Sequence, residues 1–218
     1  GQTKLPVLLR ANKPKQKNNL HQSKIKMRKV KNKNRATDFF SYNKLWQHIL
    51  KNMNKPISTD VNLLKTPTFV SPINENSIRI AQDLADTLMY NWAQGRVSCS
   101  LSANQIGERE RIIVVCEKIG GNIITMFNPQ IKEEREEMDY WEDNMCRPQM
   151  LFKNQRAYEV LVGFQDARGH SQRAWFSGKL AGIIQQEIDN LNGILPEERA
   201  LVCMECGERP KKQSIMQR

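Results

Sequence analysis

Gln186-Glu187-Ile188-Asp189-Asn190-Leu191-Asn192-Gly193 is the stretch on which the reading of this chain turns. It closes a helix predicted over about residues 177–192, with Gly193 as the residue just past the last turn. Gln186 and Asn190 stand four apart, so their side chains leave the same face of that helix. Glu187 sits beside them and supplies a carboxyl group to the same neighbourhood.

Upstream, the apolar positions Ile80, Leu84 and Leu88 repeat every four residues, with Ala81 and Ala85 alongside. That spacing predicts a helix over residues 74–92 with Asn74 or Ser77 as N-cap. Between the two helices lie strand signals at residues 111–115 (RIIVV), 122–127 (NIITMF) and 158–164 (YEVLVGF), with Gly120-Gly121 as a tight turn. Residues 174–176 add a short strand, and residues 61–73, with Pro67 and Pro72, read as an extended or looping stretch. The acidic residues 132–142 read as a solvated connection. Helix, strands, helix is an α+β order.

Two further segments precede the helix in a fixed order. One is Ser98-Cys99-Ser100-Leu101-Ser102-Ala103-Asn104-Gln105-Ile106-Gly107, and the other is Glu142-Asp143-Asn144-Met145-Cys146-Arg147-Pro148. Together with residues 186–193 they resemble the three motifs of peptide deformylases: G-x-G-x-A-A-x-Q, E-G-C-L-S-x-P and H-E-x-D-H-x-x-G. Phe127-Asn128-Pro129 is similar to the family's Asn-Pro after a strand. The resemblance covers about residues 60–200 and implies a deformylase-like fold, with antiparallel or mixed sheets around a central motif-bearing helix. Such proteins remove the formyl group from the N-termini of new proteins in bacteria, mitochondria and plastids.

The resemblance also implies a site. In the family one Cys and two His hold a divalent metal, usually iron or zinc, and the motif Glu works as acid and base on the metal-bound water. The motif Gln and the backbone N–H after the Cys stabilise the oxyanion. Carried over, the metal positions fall on Asn144, Gln186 and Asn190, the acid/base on Glu187, and the oxyanion groups on Gln105 and Met145. A carboxamide lacks both thiolate charge and an imidazole lone pair. These residues are therefore read as remnants with no cofactor, expected to hydrogen-bond one another and Glu187 or to hold a water. Ser98 and Ser100 replace two motif glycines, which should narrow the groove and compete for its backbone hydrogen bonds.

Charge separates the two ends of the chain. Residues 1–37 carry Lys4, Arg10, Lys13, Lys15, Lys17, Lys24, Lys26, Arg28, Lys29, Lys31, Lys33 and Arg35 with no acid, although the whole chain is only +11. The remaining 22 basic residues face all 23 acids, so the body is near neutral. Such a tail suits a polyanion, with a log–log salt slope of about −0.9 per duplex phosphate contact. Residues 38–54 place apolar groups at helical spacing and predict a docking helix that Pro56 ends.

The five cysteines read as thiols in a reducing compartment. Cys99 and Cys116 suit a core. Cys203 and Cys206 are either two thiols in a loop or half a structural zinc site, needing Cys146, a His or another chain to complete it. His21, His48 and His170 are scattered, and Trp46, Trp92, Trp141 and Trp175 read as packing residues.

The expected organisation is a basic tail (1–37), a docking helix and linker (38–58), a deformylase-like domain (59–200) and a C-terminal tail (201–218). The expected function is a non-catalytic component of the mitochondrial ribosome, favouring the large subunit, with rRNA and neighbouring ribosomal proteins as partners. It has no membrane span and no small-molecule substrate. The alternatives are a ribosome-assembly or other RNA-binding factor, and an active metal-dependent deformylase with displaced ligands such as Glu187 and Cys146. The expected compartment is the mitochondrial matrix, with the plastid second.

Overall fold

The computed structural model describes residues 54–205. The basic tail, the docking helix, His21, His48, Trp46 and Cys206 lie outside the described residues. Within them the order is α1 (Val61–Leu64), α2 (Glu75–Ala93), β1 (Ser100–Ser102), a 3-10 turn (Ala103–Ile106), β2 (Ile112–Val115), β3 (Ile124–Asn144), β4 (Arg147–Gln165), β5 (Ser171–Ser177), α3 (Gly178–Leu191), α4 (Pro196–Arg199) and β6 (Val202–Glu205). The expected α+β class holds for this region. No helix among the described residues is long and apolar enough to cross a membrane.

The start of α2 is set by a reciprocal cap. Asn74 Oδ1 accepts from the Ser77 backbone N–H at 3.0 Å, and Ser77 Oγ accepts from the Asn74 N–H at 3.2 Å. The carboxylate of Glu110 reinforces the same end, accepting from Ser77 Oγ at 2.6 Å and Asn76 Nδ2 at 2.7 Å. A negative group at a helix N-terminus also meets the positive end of the dipole. Asn74→Ala is expected to cost about 1 kcal/mol in denaturant unfolding. The apolar stripe Ile80, Leu84 and Leu88 is fully buried, as the period-four pattern requires.

The strands form one antiparallel sheet in the order β1-β2-β3-β4-β5, with β6 also pairing with β4. β3 and β4 make a long hairpin turning at residues 144–147. Here three expectations are corrected. Residues 132–142 are not a connection but part of β3, paired from Glu133 against Leu161 to Glu142 against Phe152. Charge misled because the pairing uses backbone, which a solvated row of side chains does not disturb. Residues 61–73 contain α1, capped by Asp60 accepting from Asn62 N–H at 2.9 Å. Residues 202–205, assigned to a tail, are strand β6.

Trp141 and Trp175 are also more exposed than packing residues would be, each 41% exposed, and Arg135 lies 4.0 Å over the Trp175 ring. Cys99 and Cys116 do lie in the core.

Helix α3 packs against β1, β2, β3, β4 and β5 and is buried from Ala181 to Leu191. Gln185 clamps it to the sheet in both directions: it accepts from Ala157 N–H at 2.9 Å and donates to Ala157 O at 2.8 Å. Its end is fixed by Gly193, at φ 75°. A Cβ there would lie 2.3 Å from the Lys65 carbonyl oxygen, so position and conformation both demand glycine.

Candidate functional site

The three motif segments converge on one buried centre. β1 and the 3-10 turn bring Ser100, Ser102 and Gln105; the hairpin end brings Asn144; α3 brings Gln186, Glu187 and Asn190. All seven are buried. Asn104 ties the turn to the helix, donating through Nδ2 to Asn190 O at 2.6 Å.

Gln105 is oriented by β1. Its Oε1 accepts from Ser102 N at 2.8 Å and Ser102 Oγ at 3.0 Å, leaving Nε2 to donate to Asn144 Oδ1 at 3.2 Å. Asn144 Oδ1 also accepts from Cys146 N at 2.9 Å, and Asn144 Nδ2 donates to Asn190 Oδ1 at 3.2 Å. Asn190 Nδ2 donates to Glu187 Oε2 at 3.0 Å, and Ser100 Oγ donates to Glu187 Oε1 at 2.6 Å. Bonding among Asn144, Asn190 and Glu187 follows from amide chemistry. Gln186 departs from that expectation: its Nε2 donates to the Asp143 carbonyl at 2.6 Å. Met145 is half-buried against the core.

Burial pushes the Glu187 carboxyl above its ordinary range, while hydrogen bonds from Ser100, Asn190 and Ser102 oppose the rise. Burial also pushes the Cys146 thiol up to about 12, so no thiolate is available there at neutral pH.

One group escaped sequence reading. Arg156 on β4, 4% exposed, bridges Glu142 and Asp189 beneath the centre. Its Nη2 lies 2.9 Å from Glu142 Oε1, its Nη1 bonds Asp189 Oδ2, and Arg199 reaches the same Asp189 oxygen at 2.7 Å. Asn154 donates to Glu142 as well. Burial works against the Arg156 charge, and Glu142 and Asp189 more than offset it, so its pKa is raised. Phe152, Asn154 and Arg156 turn inward at alternate positions of β4. The sequence carries no sign of that alternation, since Lys153, Asn154, Gln155 and Arg156 are all polar.

Residues 47–202 match the family model described as polypeptide deformylase. The chain belongs to that family. A peptide deformylase of Dictyoglomus turgidum is 33% identical over 132 residues, covering 61% of this chain and 82% of the relative. One from Thermoanaerobacter pseudethanolicus is 28% identical over 156 residues, covering 72% of this chain and 94% of the relative.

Solved deformylases share the fold. The Synechococcus elongatus enzyme in complex with actinonin is 26% identical with a TM-score of 0.58, covering 65% of this chain and 75% of that one. The Acinetobacter baumannii enzyme with bound Met-Ala-Ser is 25% identical with a TM-score of 0.57, covering 66% and 97%.

These findings overturn the expectation of a non-catalytic ribosomal component. The relatives carry an enzyme's name, and nothing in the matches points to a ribosome. The same correction applies to rRNA and ribosomal proteins as partners and to the absence of a small-molecule substrate, because deformylases of this fold hold actinonin and a peptide.

The donor set is a separate question. The motif resemblance puts Asn144, Gln186 and Asn190 at the metal positions, and their amides are already bonded to neighbours. As they stand they do not fit a transition-metal ion. Among the described residues no group of three or more His, Cys, Asp or Glu is placed to hold one instead. Cys203 is exposed on β6, and its partner Cys206 lies outside the described residues.

Proposed function

We propose that this centre acts on the formylated N-terminus of a peptide, the substrate class of the deformylase family. The observation that carries the reading is the position of β1, which among the named strands pairs only with β2, directly above Gln105 and Glu187. Cys116 N–H donates to Cys99 O at 2.8 Å, so Cys99 and Leu101 make the ladder to β2. Ser100 and Ser102 therefore turn their backbone groups to the other edge, where Gln105 Oε1 holds the Ser102 N–H and, apart from the Ser98 side chain, the Ser100 groups are left for a partner strand. An extended peptide adds to such an edge through main-chain hydrogen bonds. Its formyl oxygen can accept from the N–H that each of Gln105 and Asn144 has left over, since their own oxygens are already held.

Hydrolysis adds water across the formyl C–N bond, giving formate and a free amine. Glu187 is the group placed to take a proton from water and return it to the leaving nitrogen. Without a metal, water keeps a pKa near ~15.7 rather than about 7, so turnover by these residues is slow. General acid–base catalysis alone contributes roughly 10²–10⁴-fold.

The test compares calorimetric binding of formyl-Met-Ala-Ser and Met-Ala-Ser and follows formate release with and without chelator. Preferential binding of the formylated peptide, with slow chelator-insensitive release, is expected. Equal binding of the two peptides would sink the reading.

Ser98 gives a second check. Its Oγ donates to Ser100 O at 3.1 Å and lies 3.5 Å from Ser100 N, engaging the backbone a peptide would use. Ser98→Gly frees those groups and is expected to tighten peptide binding about 2–10-fold, the worth of one net hydrogen bond.

The compartment proposed with this activity is the mitochondrial matrix, one of the places where formylated N-termini arise. Subcellular fractionation checks it.

A further inference from the structure

A transition-metal centre needs lone pairs converging on one point from thiolate, imidazole or carboxylate donors. Here the polar atoms form a directional chain instead. Gln105 donates to Asn144 at 3.2 Å, Asn144 to Asn190 at 3.2 Å, and Asn190 to Glu187 at 3.0 Å, while Ser100 donates to the far oxygen of Glu187 at 2.6 Å. The Asn144 oxygen is held twice, by Gln105 and by the Cys146 N–H. Gln186 is turned to the Asp143 carbonyl.

We infer that this chain has closed the family's metal centre with a carboxamide relay running Gln105–Asn144–Asn190–Glu187–Ser100, and that the relay excludes a metal ion. To admit one, Asn144 would have to give up both bonds to its oxygen, and Asn190 its acceptor role towards Asn144. Both residues are buried, so giving up those bonds costs the desolvation of the groups left unpaired. The amide oxygens gained in exchange are neutral, weak donors. What the relay does provide is a fixed orientation for Glu187: Ser100 of β1 holds one of its oxygens and Asn190 of α3 the other.

This concerns the same centre as the proposed peptide recognition but does not depend on it, because metal is measured without peptide. The full chain is dialysed against zinc, nickel or cobalt(II) and its metal content and thermal midpoint are read. A Cys203→Ser, Cys206→Ser variant is run alongside to remove any metal held by that thiol pair.

The paired-serine variant is expected to hold far less than one equivalent and to show no shift in midpoint with metal or chelator. The triple substitution Asn144→Cys, Gln186→His, Asn190→His is expected to gain one equivalent and a cobalt–thiolate visible band. One equivalent in the paired-serine variant, with a midpoint raised by several degrees, would overturn the inference. So would a triple variant that folds, by circular dichroism, and stays metal-free. Should the triple variant not fold, the metal content of the paired-serine chain still decides.

Discussion

Replacing Arg156 with alanine is expected to destabilise the fold by about 3–5 kcal/mol, the largest effect of any single charge removal here. The reason is what remains. Glu142 and Asn154 on one side and Asp189 on the other are packed around a guanidinium that is 3% exposed in its side chain. Deleting it leaves Glu142 buried without a counter-charge, while Asp189 keeps only the half-exposed Arg199. Burial already lifts the Glu142 carboxyl above its ordinary range against the pull of Arg156. Once Arg156 is gone, only the Asn154 hydrogen bond opposes that rise.

The check is urea unfolding of Arg156→Ala beside Lys65→Ala. Lys65 makes a 2.8 Å pair with Glu198, but both side chains are more than two-fifths exposed. That surface pair is expected to be worth less than about 1 kcal/mol. Equal small losses for both variants would refute the buried network as a source of stability. The triple exchange Arg156→Met, Glu142→Gln, Asp189→Asn should recover part of the loss, because it removes the stranded charges rather than adding a contact.

The contrast with Lys65 also shows what a sequence can disclose. The α2 helix was legible because its cap and its period-four apolar stripe are local properties. So were the convergent positions Gln105, Asn144, Gln186, Glu187 and Asn190, since motif order and helix spacing place them without knowledge of packing. Arg156 was not legible by itself. One arginine in a strand has no local signature, and its partners lie 14 and 33 residues away along the chain. Residues 132–142, read as a connection, failed for the opposite reason. Their acidic composition described the solvated side chains correctly but said nothing of the backbone pairing with β4.

Function was the least legible layer. Replacing the motif Cys and His residues suggested a role outside enzyme chemistry, yet the relatives and structural neighbours that the chain matches are deformylases. A substitution at a ligand position changes what an ion can do there. It leaves in place the carboxyl group and edge strand through which a peptide can still be met.

Glu187→Gln is expected to raise stability at alkaline pH while abolishing formate release. The folded-state pKa of Glu187 is raised above its unfolded value of about 4.5, with burial as the leading cause. Below that unfolded value both states hold the proton, and the native carboxyl carries no penalty. As pH rises through the window between the two values, the unfolded chain releases a proton that the native state keeps. Wild-type stability therefore falls there, by up to about 1.4 kcal/mol per pH unit for one group.

Glutamine has no such proton. Its amide can donate to Ser100 Oγ and accept from Asn190 Nδ2, so both native partners stay satisfied. The variant should match wild type below the unfolded value and exceed it increasingly as pH rises through the window between the unfolded and folded values, read from urea midpoints. A constant difference at all pH values would mean that Glu187 carries no burial penalty. Proton transfer requires the group that causes the penalty, so the same substitution should erase the roughly 10²–10⁴-fold acid–base contribution. Gain in stability and loss of turnover from one atom exchange is the signature of a carboxyl kept buried for chemistry rather than for folding.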